Sequence, residues 1–276
     1  MKYFIIFYSG KTGSTPLIRT LDNFDAIHIV RQMNDRGWEP FDRLAAGEIT
    51  DNDLVRCLKL IYGPKSVFME ELNDTYLKTA RYAIDYFDKT TSLGFKMRNG
   101  KRSAECLKKI FSVLRENNVV AFVNIRKDVL RWALSRYHGD GSGKGTGHLQ
   151  FALAKGKITH DEIPKLYVDL KKLKKMIDHC IALNSKKNKL LKDLADYGIE
   201  SYPLYYEDFC SRKLDFFRTL LLRLDLEIPA DEILKTLEKE VHLRKVHSDD
   251  IKTFVINYEE VLKNYGDLGA PLSGPT

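Results

Sequence analysis

Cysteine is scarce in this chain. Among 276 residues there are four, Cys57, Cys106, Cys180 and Cys210, and no two form a CxxC pair. That scatter argues against a zinc site or a disulfide framework and fits a reducing cytoplasm. Long apolar runs are missing too. The opening run, residues 3–8, falls far short of the roughly 20 residues that a membrane-spanning helix needs. A polar Ser-Gly-Lys-Thr follows it at once with no cleavage-site context, so the start does not read as a signal peptide. No internal repeat and no second domain are visible. The excess of one charge is modest: 45 Lys+Arg against 38 Asp+Glu gives +7, which suits an anionic ligand without identifying one. With 43% hydrophobic and 30% charged residues, the chain is not disordered or collagen-like. Its length is enough to bury a core without covalent staples.

What is present alternates. Residues 2–8 form a continuous β-branched and aromatic run, the mark of a strand buried on both faces of a parallel sheet. A turn of small residues, 9–15, leads to Pro16, which suits the first turn of a helix. Further strands are predicted at 26–30, 92–97, 119–125 and 201–206. Helices are predicted at 51–62, 70–87, 105–116, 128–137, 211–224, 230–240 and 257–265. A long Lys-rich helical region covers 163–197, with a break expected near Leu183-Asn-Ser185. The glycine-rich stretch 139–147 reads as a mobile loop, and 266–276 as a flexible tail. Strands alternating with helices predict a single α/β domain over residues 1–265, with a central parallel sheet of about five strands flanked by helices.

The first strand–turn–helix carries the strongest chemical signal. Successive N–H groups of a Gly/Ser/Thr loop entering a helix N-terminus cradle an anion, and Lys11 adds a point charge. A plain turn with a capping hydroxyl is the bland alternative. The loop is not a Walker A sequence, because the place of its first glycine is held by Ile5 and Lys11 comes early. The strand 119–125 ends in Arg126 rather than in a metal-holding carboxylate. Arginine there suits a second anionic group. Together these features favour a nucleotide-like ligand with two phosphate sites and no metal.

Lys11-Thr-Gly-Ser-Thr15 after a strand resembles the 5′-phosphosulfate loop of sulfotransferases, and the strand 119–125 with Arg126 and Ser135 resembles their 3′-phosphate segment. Arg126 and Ser135 are nine positions apart; the alternative spacing of eight starts from Lys127. Tyr205-Tyr-Glu-Asp-Phe209 is similar to a late strand-end element of the family, and Arg244-Lys245 with 257–261 behind it is similar to its C-terminal basic loop and last helix. The resemblance implies a P-loop NTPase-like fold and transfer of a sulfuryl group from 3′-phosphoadenosine-5′-phosphosulfate (PAPS) to a hydroxyl or amine, without a metal. It implies that Lys11, Thr12, Gly13, Ser14 and Thr15 bind the 5′ end, Arg126 and Ser135 the 3′-phosphate, and that Arg244 and Lys245 close on the nucleotide. Lys11 would also be catalytic, stabilising the departing phosphate oxygen.

The general base is less direct. A branch of the family places His in a Lys-x-His element; here Lys96-Met-Arg98 puts an always-protonated Arg there. Glu39, beside Trp38 and Phe41, matches the Glu that some bacterial members use, with His28 and His138 as fallbacks. Glu207 and Asp208 read as structural, capping the following helix or pairing with a base, and Trp132 as packing against the sheet in preference to stacking on adenine. Lys171, Lys172, Lys174, Lys175, Lys186, Lys187, Lys189 and Lys192 read as a solvated helix face. The acceptor, a small molecule, glycan or lipid, is not encoded by any motif, and neither is the oligomeric state. Two rival readings are a P-loop small-molecule kinase and a basic nucleic-acid-binding protein.

Overall fold

The structure is a computed structural model that describes residues 1–30, 50–62, 91–98, 102–141, 153, 156–157, 159, 162–163, 165–239 and 250–269. The expectations for Glu39, Arg244, Lys245, the helix at 70–87 and residues 142–147 of the glycine-rich stretch lie outside these residues.

The strands are β1 (Lys2–Tyr8), β2 (Ile27–Val30), β3 (Ser92–Arg98), β4 (Val120–Ile125) and β5 (Ser201–Tyr205). They form one five-stranded sheet in the order β2-β3-β1-β4-β5. All the pairings are parallel, as the sequence predicts. The helices that frame the sheet are α1 (Ser14–Leu21), α2 (Asp51–Tyr62), α3 (Ala104–Glu116), α4 (Val129–Gly141) and α5 (Leu170–Asp196). After β5 come α6 (Tyr206–Ser211), α7 (Lys213–Arg223), α8 (Ala230–Glu238) and α9 (Tyr258–Tyr265).

The strand order dictates which face each helix covers. From β1 the chain moves towards β2, but from β4 it moves the other way, towards β5. With right-handed crossovers, these opposite moves put the connecting helices on opposite faces. Alternate residues of β1 show the result. Ile5 and Phe7 pack with Leu54 and Leu58 of α2, Ile110 of α3 and Leu194 of α5. Phe4 and Ile6 pack with Leu17 and Leu21 of α1 and Phe217 of α7. Beyond the end of β4, Trp132 and Leu134 of α4 join Leu173 and Ile177 of α5 in a third apolar cluster. Adjacent strands whose connections diverge leave a crevice at their carboxyl ends, and ligands of open α/β sheets bind there. Here that crevice lies between β1 and β4.

Two expectations are corrected. The Lys-rich region is one unbroken helix from Leu170, not a pair broken near Ser185, and residues 165–169 precede it. Asn184 turns its amide inward and Ser185 Oγ donates back to the Ile181 carbonyl, so both polar side chains are bonded without leaving the helix. No Gly or Pro interrupts 170–196. The helix after β4 runs on to Gly141, so the start of the expected glycine loop is helical. In the expected tail, Gly266–Leu268 form a 3-10 turn. The short α6 has no counterpart in the predicted elements.

Candidate active site

β1 ends inside the sheet, and the chain must turn at once to reach α1. Lys11 (φ 65°) and Gly13 (φ 73°) do this in the left-handed region. Gly13 also has no room for a side chain, because a Cβ there would meet the Tyr206 ring. Three consecutive loop carbonyls are tied down. Thr12 Oγ1 donates to the Ser9 carbonyl at 2.6 Å, Trp132 Nε1 to Gly10 at 3.0 Å, and Arg126 Nη1 to Lys11 at 3.1 Å. In a planar trans peptide the N–H points opposite to its carbonyl. The N–H groups of Gly10, Lys11 and Thr12 therefore face away from the groups that hold the loop. Beyond them α1 starts without a side-chain cap. Its first-turn donors, the N–H groups of Ser14 and Thr15, are left for another acceptor, and Pro16 has none. Ser14 is buried, whereas Thr15 and Lys11 are exposed. The helix end adds its positive partial charge.

Arg126 follows β4 directly across the crevice. It is 8% exposed, and its guanidinium lies 4.5 Å from the centre of the Tyr206 ring. Tyr206 thus lies against both Gly13 and Arg126. The Arg126 backbone is fixed on both sides: Asn184 Nδ2 of α5 donates to its carbonyl at 2.8 Å. Glu207 accepts from the N–H of Lys127 at 3.1 Å and of Asp128 at 3.0 Å. Glu207 therefore caps the segment entering α4, not the helix it belongs to. Asp208 pairs with a base, Arg212, at 2.6 Å. Asp128 accepts from the Arg131 N–H at 2.8 Å and pairs with its guanidinium. Burial raises the Asp128 carboxyl above its ordinary value. Lys127 is exposed, with its Nζ 3.7 Å from the centre of the Tyr205 ring.

α4 supplies the side of the site. Trp132, Ser135 and Arg136 are spaced i, i+3 and i+4, and so share one face. Trp132 reaches the Gly10 carbonyl, and Arg136 Nη1 lies 3.7 Å from where a Gly10 Cβ would stand. Half-buried Ser135 lies between them in sequence. His138 is 2% exposed, and burial together with the nearby Lys11 charge pulls its imidazole below the usual value.

The site is cation-rich in its interior. Arg126 Nε, Arg136 Nε and Lys187 Nζ are buried with no hydrogen-bond partner among the described residues. Lys187 corrects an expectation. It is 0% exposed on the inner face of α5, and burial pulls its amine down to about 7. The other lysines of the stripe are exposed as expected. Two of them are paired within the helix, Lys174 with Asp178 and Lys189 with Asp193.

The two expected halves thus meet: the Lys11–Thr15 loop and Arg126 are in direct hydrogen-bond contact, with Ser135 on the facing helix. His28 does not join them. It is level with Leu93 in the register, and Leu93 is level with Tyr3. That is five residues short of the end of β1, or about 16 Å along the strand. Its Nδ1 lies 4.0 Å from Asp22. Trp132 packs, as expected, and also holds the loop. Sequence reading missed Arg136, Asn184, Tyr206 and Lys187. The signal for Arg136 was its i+4 spacing from Trp132; the others are joined to the loop only by the fold. Among the described residues no three metal-ligating side chains converge, and no helix is long and apolar enough to cross a membrane.

No family model matches the chain, and no curated protein matches it. Among solved structures it is similar to a sulfotransferase from Alicyclobacillus acidocaldarius, with a TM-score of 0.45 and 12% identity over 97% of this chain and 92% of that one. It is similar to mouse sulfotransferase SULT7A1, complexed with PAP, at a TM-score of 0.43 and 10% identity over 97% of this chain and 82% of that one. It is also similar to sulfotransferase STF9 from Mycobacterium avium, at a TM-score of 0.41 and 10% identity over 96% and 75% of the two chains.

Proposed function

We propose that this chain is a sulfotransferase that transfers a sulfuryl group from PAPS to an acceptor hydroxyl or amine. One observation carries the reading: the loop after β1 and the arginine after β4 are hydrogen-bonded across the crevice. Two anion-seeking groups that close together suit one ligand with two anionic ends. The buried donors without partners in the same place fit a polyanion.

The donor supplies an activated sulfuryl group on its 5′-phosphate; the acceptor oxygen–sulfur bond forms as the phosphate oxygen–sulfur bond breaks. Lys11 and the N–H groups of Gly13, Ser14 and Thr15 hold the 5′ end and stabilise the charge that grows on the departing oxygen. Thr12 contributes its N–H, while its hydroxyl braces Ser9. Arg126 and Ser135 hold the 3′-phosphate, and Arg244 and Lys245 close over the nucleotide. The acceptor's proton passes to Glu39; His138, beside Lys11, is the alternative base. The interior of α5 favours this reading over a nucleic-acid surface, because its lysine stripe is broken by ion pairs and by the burial of Lys187. A metal-dependent kinase needs a strand-end carboxylate, and at the end of β4 the nearest one, Asp128, is committed to Arg131.

Calorimetric titration with adenosine 3′,5′-bisphosphate, in parallel with ATP and magnesium, tests the proposal. The expected result is tight binding of the first without metal and indifference to the second. The reverse preference would replace sulfuryl transfer with phosphoryl transfer.

A further inference from the structure

One buried group plays no part in the reaction as described. Cys180, Asn184 and Lys187 follow one another at helical spacing on the inner face of α5, which packs on α4 and on the end of β4. Asn184 holds the Arg126 carbonyl. One turn on, Lys187 Nζ lies 4.5 Å from the centre of the Trp132 ring, fully buried and with no hydrogen-bond partner among the described residues. The edge of the same indole donates to Gly10 in the loop. A chain of contacts therefore runs from the amine through the indole to the loop.

A buried ammonium needs a counter-charge. Among the described residues, the groups whose charges reach Lys187 are Glu207 of α6 and Cys180 of α5. Glu207 is engaged by two backbone N–H groups, and burial keeps the Cys180 thiol protonated up to about 11. The other charged groups there, Arg126 after β4 and Arg136 of α4, lie within reach of Cys180 and are cations. Further along α4, His138 is held below the usual imidazole value. Among the described residues the surroundings hold too little negative charge for a third cation, and an anion on the loop would supply it.

We propose that Lys187 is a positioning residue that takes up a proton when a polyanion binds the opening loop, so that its ammonium locks Trp132 against Gly10 and binding weakens as the pH rises. This rests on the reading that the loop binds a polyanion, but not on which one. The ammonium strengthens its contact with the indole face on protonation, and the indole passes the effect to the loop carbonyl. Above pH 7 the neighbours are silent: His138 has lost its proton, and a phosphate monoester, with its second pKa of about 6, is already a dianion.

The first measurement needs no ligand. The chain has two tryptophans, Trp38 and Trp132. In a Trp38→Phe background, Trp132 emission is followed from pH 6 to 9. It should titrate near pH 7, and Lys187→Arg, which stays charged, should flatten the curve. No titration in the parent, or the same titration in Lys187→Arg, overturns the proposal. Should Lys187→Arg fail to fold, Lys187→Met should give flat emission and weak anion binding at every pH. The second measurement is calorimetry with adenosine 3′,5′-bisphosphate, and separately with inorganic sulfate, in two buffers of different ionisation enthalpy. Proton uptake is expected, with affinity falling by up to about tenfold per pH unit above 7 in the limit of full coupling. Lys187→Arg should bind independently of pH. If sulfate shows the coupling and the bisphosphate does not bind, the role of Lys187 stands and the nucleotide reading falls. If the bisphosphate binds without proton uptake, the reverse holds. Binding of neither anion overturns both.

Discussion

At Gly13 the backbone is left-handed and the Tyr206 ring occupies the place of a side chain. Gly13→Ala meets both obstacles. The backbone cost alone is about 1–2 kcal/mol, and the ring must move as well, disturbing Arg126, whose guanidinium lies 4.5 Å from its centre. The expected outcome is a lower Tm together with lost bisphosphate affinity, measured by thermal shift with and without ligand. Lys11 differs, because its side chain is exposed. Lys11→Ala should leave the Tm close to that of the parent and lower kcat by about 10²–10³, the usual effect of removing one donor to a developing oxyanion. The loop was legible in the sequence because its demands are local: glycine for positive φ, small residues for a tight turn, and a lysine beside them. Tyr206 was not, because what makes it matter is a ring packed against residues nearly 200 positions away.

Among the elements, α5 shows most clearly where periodicity falls short. Its sequence has a polar Asn-Ser pair in mid-run that reads as a break. Tertiary contact reverses that reading, since Asn184 is the support under Arg126. α6 supplies the matching support from the other side through Glu207. Glu207→Gln keeps the shape but removes a charge-assisted acceptor from two N–H groups. Hydrogen bonds to charged groups contribute roughly 1.5–3 kcal/mol, so a stability loss of about that size is expected in chemical denaturation. Bisphosphate affinity should fall with it, because the turn carrying Arg126 loosens. The strands were easier to read than the helices. A strand buried on both faces needs an unbroken apolar run, and β1 and β4 have one. Helix ends were harder: α4 continues to Gly141 despite the low helix propensity of glycine.

For the molecule as a whole, the sheet order is what makes the site. It could not be read from spacing, because order depends on which way each connection turns. Once β1 and β4 are neighbours with diverging connections, two segments more than 100 residues apart face one crevice. The interior cation leaves a signature in global stability. Burial holds the Lys187 amine near 7 in the folded chain, below its unfolded value of about 10.4. Below pH 7 both states bind the proton and the full penalty applies. Between about 7 and 10 only the unfolded state binds it, so this group makes stability rise with pH. Lys187→Met should remove that rise and, near neutrality, stabilise the protein by roughly 1–4 kcal/mol, as replacing buried charge by apolar groups does elsewhere. Denaturation midpoints of both proteins at pH 6.5, 8 and 9.5 check this.

The central claim is that the opening loop and Arg126 grip two ends of one ligand. Its most direct test is a cycle that pairs a ligand deletion with a side-chain change. Calorimetry compares adenosine 3′,5′-bisphosphate with adenosine 5′-monophosphate, on the parent and on Arg126→Lys with Ser135→Ala. Losing the 3′-phosphate should weaken binding to the parent by at least about a hundredfold, equal to roughly 2.7 kcal/mol, and should matter little to the variant. Equal affinity of the parent for both nucleotides would contradict the account.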